Sequence, residues 1–98
     1  MTAQESARYL LDAANVDAPG VDALSTSLRS YAEKKERGQA MDAPFINKIV
    51  AQARACPAVG ELPRNFLYAW QTVKAIADAA WLQLYPASTP NDDDDTDD

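Results

Sequence analysis

Residues 66–86, "FLYAWQTVKAIADAAWLQLYP", are the most apolar part of a 98-residue chain and hold both of its tryptophans. A membrane span needs about 20 apolar residues, and this stretch is long enough. It is interrupted, however, by Gln71, Lys74, Asp78 and Gln83, and a Lys or Asp near a bilayer centre costs roughly 2.5 to 3.5 kcal/mol. The stretch therefore reads as a helix of a folded domain, not as a membrane anchor. Pro63 or Asn65 opens it and Pro86 closes it, which predicts a helix over 63–85. At 1.5 Å per residue its roughly 22 residues extend about 33 Å, more than any other element the sequence suggests, so this helix must organise the fold.

At helical spacing, Phe66, Trp70, Val73, Ala77, Ala80 and Leu84 fall on one heptad-like stripe. Its alanine centre lets another helix come close, and Trp70 and Trp81 flank the approach. Leu67, Tyr68, Leu82 and Tyr85 lie away from that stripe, among Gln71, Lys74 and Asp78. A helix with large apolar groups on two sides is either central in its domain or offers one side to a partner. Tyr and Trp are enriched among interface anchors. The candidate partner-binding residues are accordingly Leu67, Tyr68, Trp70, Lys74, Trp81, Leu82 and Tyr85.

Three shorter helices precede this one. Thr2 and Glu5 have the separation of a capping box, which starts a first helix running to about residue 14, with Tyr9, Leu10, Ala13 and Ala14 as its apolar stripe and Asn15 as its stop. Pro19 and Gly20 break the chain. A second helix is expected over 21–37, burying Val21, Leu24, Leu28 and Tyr31 and ended by Gly38. Lys34, Lys35 and Arg37 sit where its dipole is negative, and Glu33 is placed to pair with Arg37. Asp42 as N-cap and Pro44 in the first turn begin a third helix over 43–55. Its expected buried face is Phe45, Ile46, Ile49, Val50 and Ala53, with Asn47, Lys48, Gln52 and Arg54 pointing elsewhere. Pro57 stops it.

The class expected is all-α: a small helical bundle of about four helices with a long C-terminal helix and a disordered acidic tail. The helical domain spans 1–87. The tail, 88–98, contains no apolar residue larger than alanine and so has nothing with which to hold itself in place. A domain this small buries only about 60 to 65% of its unfolded surface, so a partner's surface would add useful stability. The net charge of −6 is uneven: residues 1–90 carry nine Lys and Arg against nine Asp and Glu, and "DDDDTDD" carries six Asp. The body is neutral, and the surplus lies in the tail.

The chain has no histidine, which removes the commonest general base and metal ligand. The one cysteine, Cys56, cannot form an internal disulfide, sits at a helix C-terminus that disfavours a thiolate, and precedes a proline; it reads as structural. With no basic and apolar leader at its start, the protein is expected in the cytoplasm. Gly20, Gly38 and Gly60 stand alone, so no phosphate-binding loop is present. The aspartates lack the glycine turn and distal glutamate of a calcium loop. Neither catalysis nor a cofactor nor a metal is expected.

These features predict a non-catalytic protein–protein interaction module, an adaptor, assembly chaperone or inhibitor of bacterial or phage character, with a protein partner or a second copy on the aromatic face of the last helix. The tail would solubilise the domain, engage a basic surface as a mimic of nucleic acid, or fold back on Lys34, Lys35 and Arg37. The alternative is a small DNA-binding regulator that reads a groove with Asn47, Lys48, Gln52 and Arg54 of the helix over 43–55. A neutral body and an acidic tail disfavour direct contact with phosphates.

Overall fold

Side-chain caps set three of the helix starts. The computed structural model describes residues 2–12 and 19–86. In it the Thr2 backbone N–H donates to Glu5 (2.8 Å) and the Glu5 N–H to the Thr2 hydroxyl (3.1 Å), the reciprocal capping box that opens α1 (Ala3–Asp12). Asp42 accepts from the Phe45 N–H at 3.0 Å at the head of α3 (Ala43–Arg54), and Asn65 from the Tyr68 N–H at 3.1 Å at the head of α4 (Phe66–Leu84). The cap at Asn65 places the start of α4 there and not at Pro63.

Between α1 and α3 lies α2 (Val21–Glu36), which has no side-chain cap. Its N-cap is Gly20, in the left-handed region at φ 78°, where a Cβ would stand 3.1 Å from both the Ala55 carbonyl oxygen and the Cys56 Cα. A side chain there would be strained twice, by the backbone angle and by the α3 terminus. At the other end the Gln39 N–H reaches the Lys34 carbonyl and the Gly38 N–H reaches that of Lys35, a Schellman motif with Gly38 at φ 72°. A short 3-10 turn, Pro57–Val59, joins α3 to the loop before α4. Among the described residues there are four α-helices and no strand, the all-α bundle read from the sequence.

Helix α4 is the axis of the packing. Both α1 and α2 lie along it, and α3 closes the remaining side against α2 and α4. Its buried residues are Ala69, Val73, Ile76, Ala77, Ala79 and Ala80. The alanine-centred seam is therefore real, and the helices that fill it belong to this chain. It is turned toward Ala69 and Ile76 relative to the expected stripe: Leu84 only borders the core, Trp70 is half-buried, and Phe66 is exposed. Ala7, Leu10 and Leu11 of α1, Val21, Leu24, Leu28 and Tyr31 of α2, Ile49, Val50 and Ala53 of α3, and Cys56 complete the core.

Other differences have local causes. Tyr9 is exposed at 39% while Ala7 and Leu11 are buried, so α1 turns a different face inward than a stripe through Ala13 and Ala14 requires. Residues 13–14 lie outside the described residues, as do the end of the domain at 87 and the acidic tail 88–98. Gln52 does not point away: the Ser27 hydroxyl of α2 donates to its side-chain oxygen. The Glu33–Arg37 pair forms at 3.1 Å. No helix among the described residues is long and apolar enough to cross a membrane.

Candidate functional site

One side of α4 carries a cluster that joins it to α2. The Tyr31 hydroxyl donates to Asp78 Oδ1 at 2.5 Å, the Lys74 ammonium lies 3.0 Å from Oδ2, and Lys35 lies 3.4 Å from Oδ1. Lys35 also sits 5.0 Å above the Trp81 ring, whose indole N–H donates to Glu36 at 3.0 Å. The Tyr31 and Trp70 rings meet edge to face at 6.3 Å and 68°. Desolvation works against the Asp78 carboxylate, but the hydrogen bonds from Tyr31 and Lys74 and the charges of Lys35 and Lys74 outweigh it and hold its pKa below the ordinary value. Burial first, then the bond to Asp78 and its charge, pushes the Tyr31 phenol up. Asp78 is thus held as an anion and Tyr31 as a neutral donor committed to it. The cluster fastens two helices and leaves neither group turned to a ligand.

The first turn of α4 is the opposite case. Phe66 is 44% exposed, and Leu67 and Tyr68 are each 60% exposed. The backbone beneath them is held at Asn65 and Tyr68: the Asn65 side chain caps the Tyr68 N–H at 3.1 Å, and the Thr72 hydroxyl donates to the Tyr68 carbonyl at 3.2 Å. Behind the turn, the Arg54 guanidinium of α3 donates to the Arg64 carbonyl at 3.2 Å and ties down the incoming loop. Three large apolar side chains are thereby displayed on a backbone that is itself well held.

The last turn of α4 borders a shallow groove. Leu82, Gln83, Leu84 and Pro86 form one wall, Arg8, Leu11 and Asp12 of α1 another, and Arg29 of α2 reaches in from the side. On the α2 side a neighbouring depression takes in Tyr85 beside Thr26 and Glu33. Gln83 donates to the Gln4 carbonyl at 2.9 Å, and Arg29 to the Leu11 carbonyl at 3.3 Å.

The seven residues singled out from the sequence do not form one patch. Leu67 and Tyr68 are bare at the start of α4, while Leu82 and Tyr85 are half-buried at its end, about 22 Å along the axis. Between them Trp70 and Trp81 are half-buried against α2, and exposed Lys74 is paired with Asp78. Phe66 belongs with the bare turn and was misplaced in the seam; fixing the cap at Asn65 would have shown it to be the first helical residue, beyond the reach of the shorter helices. Nothing in the sequence marks Arg8 and Arg29 as neighbours. Of the side chains considered for a DNA groove, Gln52 is bonded to Ser27 and Arg54 to the Arg64 carbonyl, which leaves Asn47 and Lys48. No group of three or more potential metal ligands occurs among the described residues. Comparison with protein-family models, with curated proteins and with solved structures gives no match for this chain.

Proposed function

We propose that the chain is a non-catalytic protein–protein interaction module of the cytoplasm, and that it binds its protein partner through the first turn of α4. The observation that supports this reading is the exposure of the consecutive large side chains Phe66, Leu67 and Tyr68 around the first turn of a helix whose apolar middle packs against α1 and α2. Large apolar side chains grouped on a surface mark interaction sites, and aromatic groups anchor them. The Asn65 cap and the Arg54 bond to the Arg64 carbonyl fix the backbone of this turn before binding, which lowers the ordering cost. An adaptor, an assembly chaperone and an inhibitor all work in this way, by covering a partner's surface.

Capture from a lysate of the source organism tests it, with the wild-type chain and Leu67→Glu compared side by side. A specific partner retained by the first and lost by the second is the expected outcome; equal capture by both would remove the first turn from the interface. The mass in solution identifies the partner further. About 21 kDa, twice the 10.7 kDa chain, makes the partner a second copy, and the monomer mass makes it a different protein.

A further inference from the structure

The geometry points to a docking site for the chain's own acidic segment, residues 92–98, in the groove between α1, α2 and the last turn of α4. The basic residues at the C-terminus of α2 are already engaged: Lys35 with Asp78, Arg37 with Glu33, and Lys34 over the Phe45 ring at 5.4 Å. Arg8 and Arg29 are not. Among the described residues neither forms an ion pair, Arg8 makes no hydrogen bond, and Arg29 donates only to the Leu11 carbonyl, which leaves guanidinium donors over. Both line the groove that Pro86 borders.

Position along the chain puts this groove within reach of the aspartates, and Arg8 lines it but not the neighbouring depression, where Glu33 would oppose them. Five residues, 87–91, separate Pro86 from Asp92, a reach of at most about 20 Å. A tether that short gives a local concentration on the order of millimolar. Each exposed Arg–Asp pair is weak, but six aspartates and two bidentate donors within one tether length bind together where a single pair would not. Asp12 in the same groove opposes the docking and keeps it reversible. The docked segment covers Leu82 and Leu84, so a partner that reaches the end of α4 must first displace it. Docking itself requires no partner; only that competition rests on the function proposed above.

Paramagnetic NMR on the full chain reads docking directly. A spin label on Thr96→Cys keeps all six aspartates, and Cys56, 1% exposed, is shielded in the folded chain. The tether alone broadens signals near Pro86, so the differences between salts and between variants carry the result. At about 20 mM NaCl the amide signals of Leu11, Asp12, Leu82 and Gln83 should lose at least about half their intensity, and about 1 M NaCl, where the screening length is near 3 Å, should restore them. Arg8→Gln should weaken the effect and Arg8→Gln with Arg29→Gln should abolish it. Because Arg8 bonds to nothing else described, its single variant remains informative even if the double variant loses its fold. Broadening that is the same in both salts, or unchanged by Arg8→Gln, overturns the proposal, as does broadening centred on Lys34 and Lys35. Lysate capture by the first turn of α4 could fail while this experiment succeeds, and the reverse.

Discussion

The middle and the first turn of α4 are built from the same kinds of residue and are treated in opposite ways. From Ala69 to Ala80 the apolar face of the helix is covered: its small residues admit α1 and α2, and the segment's one acid, Asp78, has three partners. At Phe66, Leu67 and Tyr68 larger apolar groups stand in solvent. Hydrophobicity alone does not separate the two segments. What separates them is side-chain volume and reach, because the companion helices close on alanine and do not extend over the N-terminal turn. Apolar surface that the fold needs is covered by the fold, and the surface left bare is available to something else.

The largest expected effect breaks the enclosed half. Ala77 is fully buried, and Ala77→Glu puts a carboxylate without a partner between α4 and its neighbours while overpacking the seam. A loss above about 4 kcal/mol is expected, most of the stability of a domain this size. Circular dichroism should show a chain largely unfolded at room temperature; a cooperative transition near the wild-type Tm would mean that the seam is open.

Next in size is Tyr31→Phe, which keeps the ring against Trp70 and removes the donor to Asp78. A charge-assisted hydrogen bond at a half-buried site contributes about 1 to 2 kcal/mol. The urea midpoint should fall by the corresponding amount with an unchanged slope. This cluster shows where sequence reading succeeds and where it stops. Caps, helix order and the alanine seam were legible because each depends on residues within a few positions of one another: Thr2 with Glu5, Asp42 before Pro44, Ala77 with Ala80. The bond from Tyr31 to Asp78 and the joining of Arg8 to Arg29 beside Pro86 were not, because they depend on how helices cross. The same limit explains the scattered candidate site: Leu67 and Leu82 share a helix, but different companions lie beside each end.

The pH dependence of stability is a smaller effect and has a definite sign. Asp78 has a folded pKa below its unfolded value, so its contribution is complete above about pH 4, the ordinary carboxylate range, and is lost as pH falls through the lower, folded value. Tyr31 is shifted the other way: its contribution is complete below about pH 10 and declines as the phenol ionises in the unfolded chain but not in the folded one. Denaturation profiles of the wild type and Asp78→Asn should converge in strong acid, and those of the wild type and Tyr31→Phe in alkali. Parallel profiles at every pH would mean that neither group titrates differently on folding.

The smallest effect on stability is the most informative one for function. Leu67 is mostly exposed and has no place in the core, so Leu67→Glu should change stability by no more than about 0.5 kcal/mol. A carboxylate in the first turn also meets the positive end of the helix dipole, which offsets any contact it removes. Leu82→Glu makes the contrast. Leu82 is half-buried beside Leu11 and Arg29, so its substitution should cost about 1 kcal/mol or more of stability. If Leu67→Glu destabilises as much as Leu82→Glu, the first turn is part of the fold and the contrast between the two regions of α4 disappears. If it leaves stability intact while partner capture is lost, Leu67 serves binding alone, and the chain keeps an apolar turn exposed because covering it is the partner's role.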